Sequence, residues 1–124
     1  MPYDIKFNND QKIIELTYAG LVTPPELVEA LEETAILSRS SGVTRFLADC
    51  TTMVGGHSVF DLYALISLYE SIGVPRGMKE AILLPSLESP IEDVKFYEIA
   101  CFNKGYNVRV FKNIRDALSW LTMD

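Results

Sequence analysis

Residues Asp49 to Ile72 read DCTTMVGGHSVFDLYALISLYESI, and the fold turns on how this stretch is parsed. The run Arg45-Phe-Leu-Ala-Asp49 leads into it as a short, largely apolar strand closed by Asp49, of the kind buried on both sides between helices. A loop follows, where Gly55 and Gly56 mark a turn that needs positive φ. Ser58 is placed as the N-cap of the next helix, and Asp61, three residues on, as its partner in a short-armed capping box. Val59, Leu62, Tyr63, Ile66 and Tyr69 then recur at helical spacing and make one apolar face. Phe60, Ala64, Leu65, Leu68 and Ile72 fill most of the remaining circumference, leaving Asp61, Ser67, Glu70 and Ser71 as the polar positions. A helix over 58–72 that is apolar nearly all round is expected to be covered on more than one side.

Upstream, Tyr3, Ile5 and Phe7 alternate with Asp4 and Lys6, Asn8 to Asp10 supply turn chemistry, and Ile14, Leu16 and Tyr18 alternate again, which predicts a hairpin ended by Gly20. Thr23-Pro-Pro-Glu26 announces a helix, with Thr23 as N-cap, Pro24 at the first helical position, Glu26 reaching back and Val22 stapled onto Leu27. Leu27, Ala30, Leu31, Thr34 and Leu37 form its inward side, and Gly42 stops it. Downstream, Lys79-Glu-Ala-Ile-Leu-Leu-Pro85 is a strand apolar through its middle. Ser89-Pro-Ile-Glu92 repeats the cap, proline and carboxylate signature ahead of a helix that Gly105 terminates. Asn107-Val-Arg-Val-Phe111 is the last strand, and Asn113 and Asp116 cap a final helix bearing Ala117, Leu118, Trp120 and Leu121. The expected fold is therefore α/β: a mostly parallel central sheet of about five strands, opened by an antiparallel hairpin, with four helices. Ligands in such sheets gather at the carboxyl ends of the strands, which directs attention to 49–58 and 85–89.

Composition narrows the function. The 124 residues suit a single domain spanning 1–124. Apolar residues at 48% and charged residues at 23% are those of an ordered globular chain, and no apolar run approaches the roughly 20 residues of a membrane span. The opening MPYDIKFNND lacks a basic segment followed by an apolar one, so no signal peptide is expected and a cytoplasmic setting is. A net charge of -6 repels phosphate backbones, which argues against nucleic acid. Cys50 and Cys101 lack metal-ligand spacing and read as free thiols.

Several residues together resemble a known family. Gly20-Leu-Val-Thr-x-x-Glu-Leu, Phe46-Leu-Ala-Asp49 and the ending Val108-Arg-Val-Phe-x-x-x-x-x-Ala117-Leu-x-Trp120-Leu121 stand where the uncharacterised SpoIIAA-like bacterial proteins of STAS-type fold have such residues. The resemblance covers nearly the full length, and its motifs are mostly structural. It implies a non-catalytic regulatory or binding module. In the antagonist proteins of this fold a serine at this helix start, within an Asp-Ser-Ser-Gly-Leu-like run, is phosphorylated by a partner kinase, and the resemblance carries that role to Ser58. Here the run is Gly56-His-Ser-Val-Phe-Asp61, without the adjacent aspartate, second serine and following glycine.

The candidate chemistry centres on the same stretch. Asp49, Gly55, Gly56, His57, Ser58, Phe60 and Tyr63 are the candidate ligand- or anion-binding residues, because free amides and the helix dipole converge at a helix start entered through glycines. Neither a Walker loop nor a dinucleotide fingerprint is present. His57, Cys50, Asp49 and Asp61 do not have the ligand pattern of a metal centre, and no cofactor is expected. A Cys50–His57 dyad is the one enzymatic alternative, and it requires hydrogen-bond reach and an oxyanion site. Phe60, Ala64 and Leu68 form the candidate interface of a homodimer, since two-fold pairing is the commonest way to cover an apolar patch. The competing reading is a carrier or sensor of a small apolar or anionic ligand, in a pocket walled by Phe60, Tyr63, Leu84 and Pro85.

Overall fold

The computed structural model of the chain describes residues 2–85 and 88–123. In order it forms strands β1 (Tyr3–Asn8) and β2 (Ile13–Leu21), helix α1 (Pro24–Ser41), strand β3 (Arg45–Gly55) and helices α2 (Val59–Ser67) and α3 (Tyr69–Ile72). Strand β4 (Lys79–Leu83), helix α4 (Glu88–Asn103), strand β5 (Asn107–Phe111) and helix α5 (Ile114–Thr122) complete it. The five strands lie side by side in chain order. Strand β1 runs antiparallel to β2, with Tyr3 opposite Tyr18, and every later neighbour is parallel. The expected hairpin-led α/β sheet with helical crossovers is present.

The helix starts follow from their caps. The Thr23 N–H donates to Glu26 Oε1 (2.9 Å), and the Asp116 N–H donates to Asn113 Oδ1 (2.9 Å). Gly42 closes α1 in the left-handed conformation, its N–H donating to the Ser38 carbonyl (2.8 Å). On α1, Leu27, Ala30 and Thr34 are buried as expected, together with Ala35 and Ser38, while Leu31 and Leu37 are only half-buried. The cap reading at Ser89-Pro90 lies outside the described side chains, as Ser86 and Leu87 of the 85–89 rim lie outside the described residues.

Two boundaries correct the sequence reading. Strand β3 does not close at Asp49 but runs on to Gly55, because β2 continues beside it: Ala19 pairs with Thr52, Gly20 with Met53 and Leu21 with Gly55. The intervening register shifts let Cys50 and Met53 stay buried while Thr52 and Val54 face out, and β-branched Thr51, Thr52 and Val54 suit extended backbone. The expected helix over 58–72 is in fact two, which makes five helices among the described residues instead of four. The break falls at Leu68, whose N–H turns back to the Leu65 carbonyl (3.0 Å) in a three-residue step. Just before it, Ser67 Oγ donates to the Tyr63 carbonyl (3.2 Å), a back-bond of the kind that bends helices.

Strand alternation divides the core. On one face of the sheet, Phe46, Ala48 and Ile82 meet Leu27 of α1, Leu62, Leu65 and Ile66 of α2, and Val94 and Tyr97 of α4. On the other, Ile13, Leu47, Ala81 and Leu83 meet Ala117, Trp120 and Leu121 of α5. Lys79, at the start of β4, donates to the Trp120 (2.7 Å) and Met123 (2.9 Å) carbonyls and so satisfies the end of α5.

Candidate functional site

The entry to α2 is built by backbone contact. Gly55 (φ 139°) and Gly56 (φ 105°) hold positive φ, and a Cβ on Gly56 would stand 2.7 Å from the Val22 nitrogen and 2.8 Å from its oxygen. No side chain fits there. The Val22 N–H donates to the Gly55 carbonyl (2.7 Å), and His57 Nδ1 donates to the Val22 carbonyl (2.9 Å). Both glycines and the histidine thus fasten the start of α2 to the segment that joins β2 to α1.

The capping box at Ser58 and Asp61 is formed in both directions. Asp61 N–H donates to Ser58 Oγ (3.2 Å), while the Ser58 N–H (2.7 Å) and hydroxyl (3.0 Å) donate to Asp61 Oδ2. The Ser58 N–H above all, then its hydroxyl, holds the Asp61 carboxyl below the usual range, with a smaller attraction from His57. The anion position expected at this helix start is therefore filled by the chain's own carboxylate. Ser58 is exposed, and a phosphate on it would face the Asp61 charge at hydrogen-bond distance.

The other polar candidates do not converge. Alternation along β3 sends Asp49 toward the α5 side of the sheet and Cys50 toward α2. Asp49 Oδ1 is occupied by the Thr51 N–H (3.0 Å) and hydroxyl (2.6 Å). Cys50 and Cys101 are buried free thiols. Burial, aided by the Glu80 and Asp49 charges, pushes the Cys50 thiol far above the range in which a nucleophilic thiolate is populated at neutral pH. Among the described residues, no three His, Cys, Asp or Glu side chains group as a metal site.

Helix α2 has two unlike sides. Leu62, Leu65 and Ile66 are buried against the sheet, whereas Phe60 is 85% exposed, Tyr63 49% and Leu68 38%, with Ala64 exposed among them. The expected cover on the second side is not supplied by the other described residues. Lys104 Nζ stands 5.8 Å from the Tyr63 ring centre and shields one edge of the patch.

Beneath α2 lies a cavity of about 60 Å³. Its walls are not the expected Phe60, Tyr63, Leu84 and Pro85, because the two aromatics point outward. Leu62 and Leu65 close it from α2, and half-buried His57, Tyr18 and Glu80, with buried Cys50 and Tyr97, bring polar groups to it. Glu80 sits in β4 opposite Phe46 and Val108, both inward-facing, so its side chain enters the same layer. Its Oε1 is shut off from solvent without a hydrogen-bond partner, and burial raises its carboxyl to about 7. Glu80 also borders a smaller cavity, of about 30 Å³, together with Thr34, whose Oγ1 likewise lacks a partner. Reading 79–85 as an apolar strand passed over this carboxyl. The available signal was its spacing of two from Ile82, which puts Glu80 on the inward face.

A hairpin-led parallel sheet with α1, α2 and α4 on one face and α5 on the other is the SpoIIAA-like fold. Scanned against protein-family models the chain matches none, and no curated protein matches it. Solved structures do. Over 96% of its length the chain is similar to an uncharacterised protein of the DUF3478 family with a SpoIIAA-like fold from Shewanella loihica PV-4, covering 93% of that chain at 20% identity with a TM-score of 0.60. It is similar over 92% of its length to the anti-sigma factor antagonist SpoIIAA in its unphosphorylated form, covering 91% of that chain at 10% identity with a TM-score of 0.56. Identities this low carry the fold and nothing finer.

Proposed function

We propose that the chain is a non-catalytic regulatory or binding module that works through residues 49–72, with the outer side of α2 as its contact surface and a second copy of the chain as the partner covering it. The supporting observation is the exposure of Phe60, Tyr63, Ala64 and Leu68 side by side on a short helix whose opposite face is buried. The buried, thiol-form Cys50 and the locally bonded Asp49 and Asp61 support the non-catalytic part. The similarity to SpoIIAA, whose name makes it an antagonist acting on another protein, agrees with a protein-contact role. Sedimentation equilibrium tests it. The wild-type chain is expected at twice its own mass at micromolar concentration and the Phe60→Glu variant at the monomer mass; a monomeric wild type refutes the homodimer.

A second reading, carriage of a small apolar ligand, is favoured by one specific observation: the cavity under α2, lined mostly by aliphatic side chains. An anionic ligand is disfavoured at both places considered, since Asp61 fills the helix start and Glu80 faces the cavity.

A further inference from the structure

The cavity under α2 has an uneven lining. Most of its wall is aliphatic, drawn from Leu27, Leu62, Leu65, Ile82 and Val94, yet the strand side presents Glu80. A buried carboxyl oxygen with no partner costs about 1 to 3 kcal/mol, and native proteins rarely retain one without a reason. Among the described residues lining the two cavities that Glu80 borders there is no lysine or arginine, and His57 is the one basic side chain. The Glu80 carboxyl is thus the acidic group on the wall of a largely aliphatic hole.

We infer that this cavity is a binding site for the end of a small neutral amphiphile, an alcohol-terminated aliphatic molecule whose hydroxyl donates to Glu80 while its chain lies against Leu62 and Leu65 and leaves past His57. The inference rests on the carrier reading and adds to it the ligand's class and its anchor. Three physical points select that class. An anionic end group would meet the Glu80 carboxyl with no lysine or arginine in the lining to offset the repulsion. An ammonium would have to leave water to form one buried ion pair, and desolvation of both partners opposes that. A hydroxyl bears no charge to desolvate and can donate to the carboxyl of Glu80. Size also discriminates. An apolar cavity of about 150 Å³ takes benzene, or about 25 Å³ for each heavy atom, so about 60 Å³ admits only the last two or three atoms of a chain. The remainder of a longer molecule extends past the half-buried Tyr18 and His57, which with Glu80 are the lining residues that are not fully buried.

The test uses the full chain labelled at its Leu, Ile and Val methyl groups, titrated with 1-propanol, propylamine and propionate and followed by NMR. 1-Propanol is expected to shift the Leu62, Leu65 and Ile82 methyls saturably, and to bind at least tenfold more tightly than propionate or propylamine. In Glu80→Leu, which removes the acceptor, 1-propanol binding is expected to weaken about tenfold, the value of one buried hydrogen bond. In Glu80→Gln, which keeps an acceptor oxygen, it should stay within threefold of wild type. Equal binding of 1-propanol to wild type and Glu80→Leu overturns the anchor while leaving a carrier in place. Preference for propionate or propylamine overturns the ligand class. Saturable shifts from none of the three, with Leu65→Trp equally silent, overturn the carrier reading itself.

Discussion

Glu80 provides the sharpest quantitative test of how this core is built. The ordinary carboxyl value of 4.5 applies to the unfolded chain, and burial raises it to about 7 in the fold. At about 1.4 kcal/mol for each tenfold change, the gap is worth about 3 kcal/mol. The direction follows from proton counting. Below about pH 4.5 Glu80 is protonated in both states, and its contribution to stability is fully present. Between about 4.5 and 7 the fold keeps a proton that the unfolded chain has released, so stability falls as pH rises, and above about 7 the contribution is gone. Glu80→Gln has no proton to lose. Its stability relative to wild type should therefore climb by about 3 kcal/mol from about pH 4 to about pH 8.

Other groups facing Glu80 do not mimic this slope. Tyr18 of β2, Cys50 of β3, and Tyr97 and Cys101 of α4 are all raised by burial and stay uncharged through the window. Thr34 of α1 and Leu62 and Leu65 of α2 do not titrate. His57 also lines the cavity, so both proteins are measured in a His57→Gln background as well. Urea unfolding at one-unit steps of pH reads the difference directly. A difference between wild type and Glu80→Gln that is flat from about pH 4 to about pH 8 would refute the buried, partnerless carboxyl.

Two further outcomes concern the entry to α2. Gly56→Ala forces a Cβ onto the Val22 backbone at a positive φ, and it should cost about 1 to 3 kcal/mol in thermal unfolding; a loss within about 0.5 kcal/mol would show that Val22 and Gly56 are not in contact. Ser58→Ala removes the acceptor for the Asp61 N–H and should cost about 1 kcal/mol, with faster amide hydrogen exchange confined to the first turn of α2. Unchanged exchange there would mean that the cap does not hold the helix start.

Local chemistry was well signalled in the sequence, and long-range pairing was not. Thr23, Glu26, Ser58, Asp61, Asn113 and Asp116 announce their caps within four residues, and the structure forms each of them. The end of β3 could not be found that way. Whether Cys50 to Gly55 is strand or loop depends on Ala19 to Leu21 lying alongside, a partner some thirty positions away in the chain. The break at Leu68 was hidden for a related reason: the apolar period continues unbroken from Val59 to Ile72, and a period describes which side faces the core but not whether the axis bends. The site was half visible. Sequence pointed to 49–72 as the candidate segment, yet assigned its outward aromatics to the pocket and passed over Glu80, because one carboxylate beside Lys79 at a strand end looks like an exposed pair.

The two readings of this domain use opposite sides of one element, and that makes them separable. Helix α2 is nine residues long, too short to persist on its own, so its position depends on Leu62, Leu65 and Ile66 below and on the Ser58 cap at its start. Phe60 lies on the outer side and contributes nothing to the cavity lining, while Glu80 lies below the helix and contributes nothing to the exposed patch. A charge introduced at Phe60 therefore acts on self-association without altering the acceptor, and Glu80→Leu acts on the cavity without altering the surface. If each variant moves only its own readout, α2 is a fixed wall between two independent surfaces. If Glu80→Leu also changes the dimer equilibrium, the helix shifts as a body when the cavity beneath it changes, because Phe60, Tyr63, Ala64 and Leu68 take no part in the cavity lining.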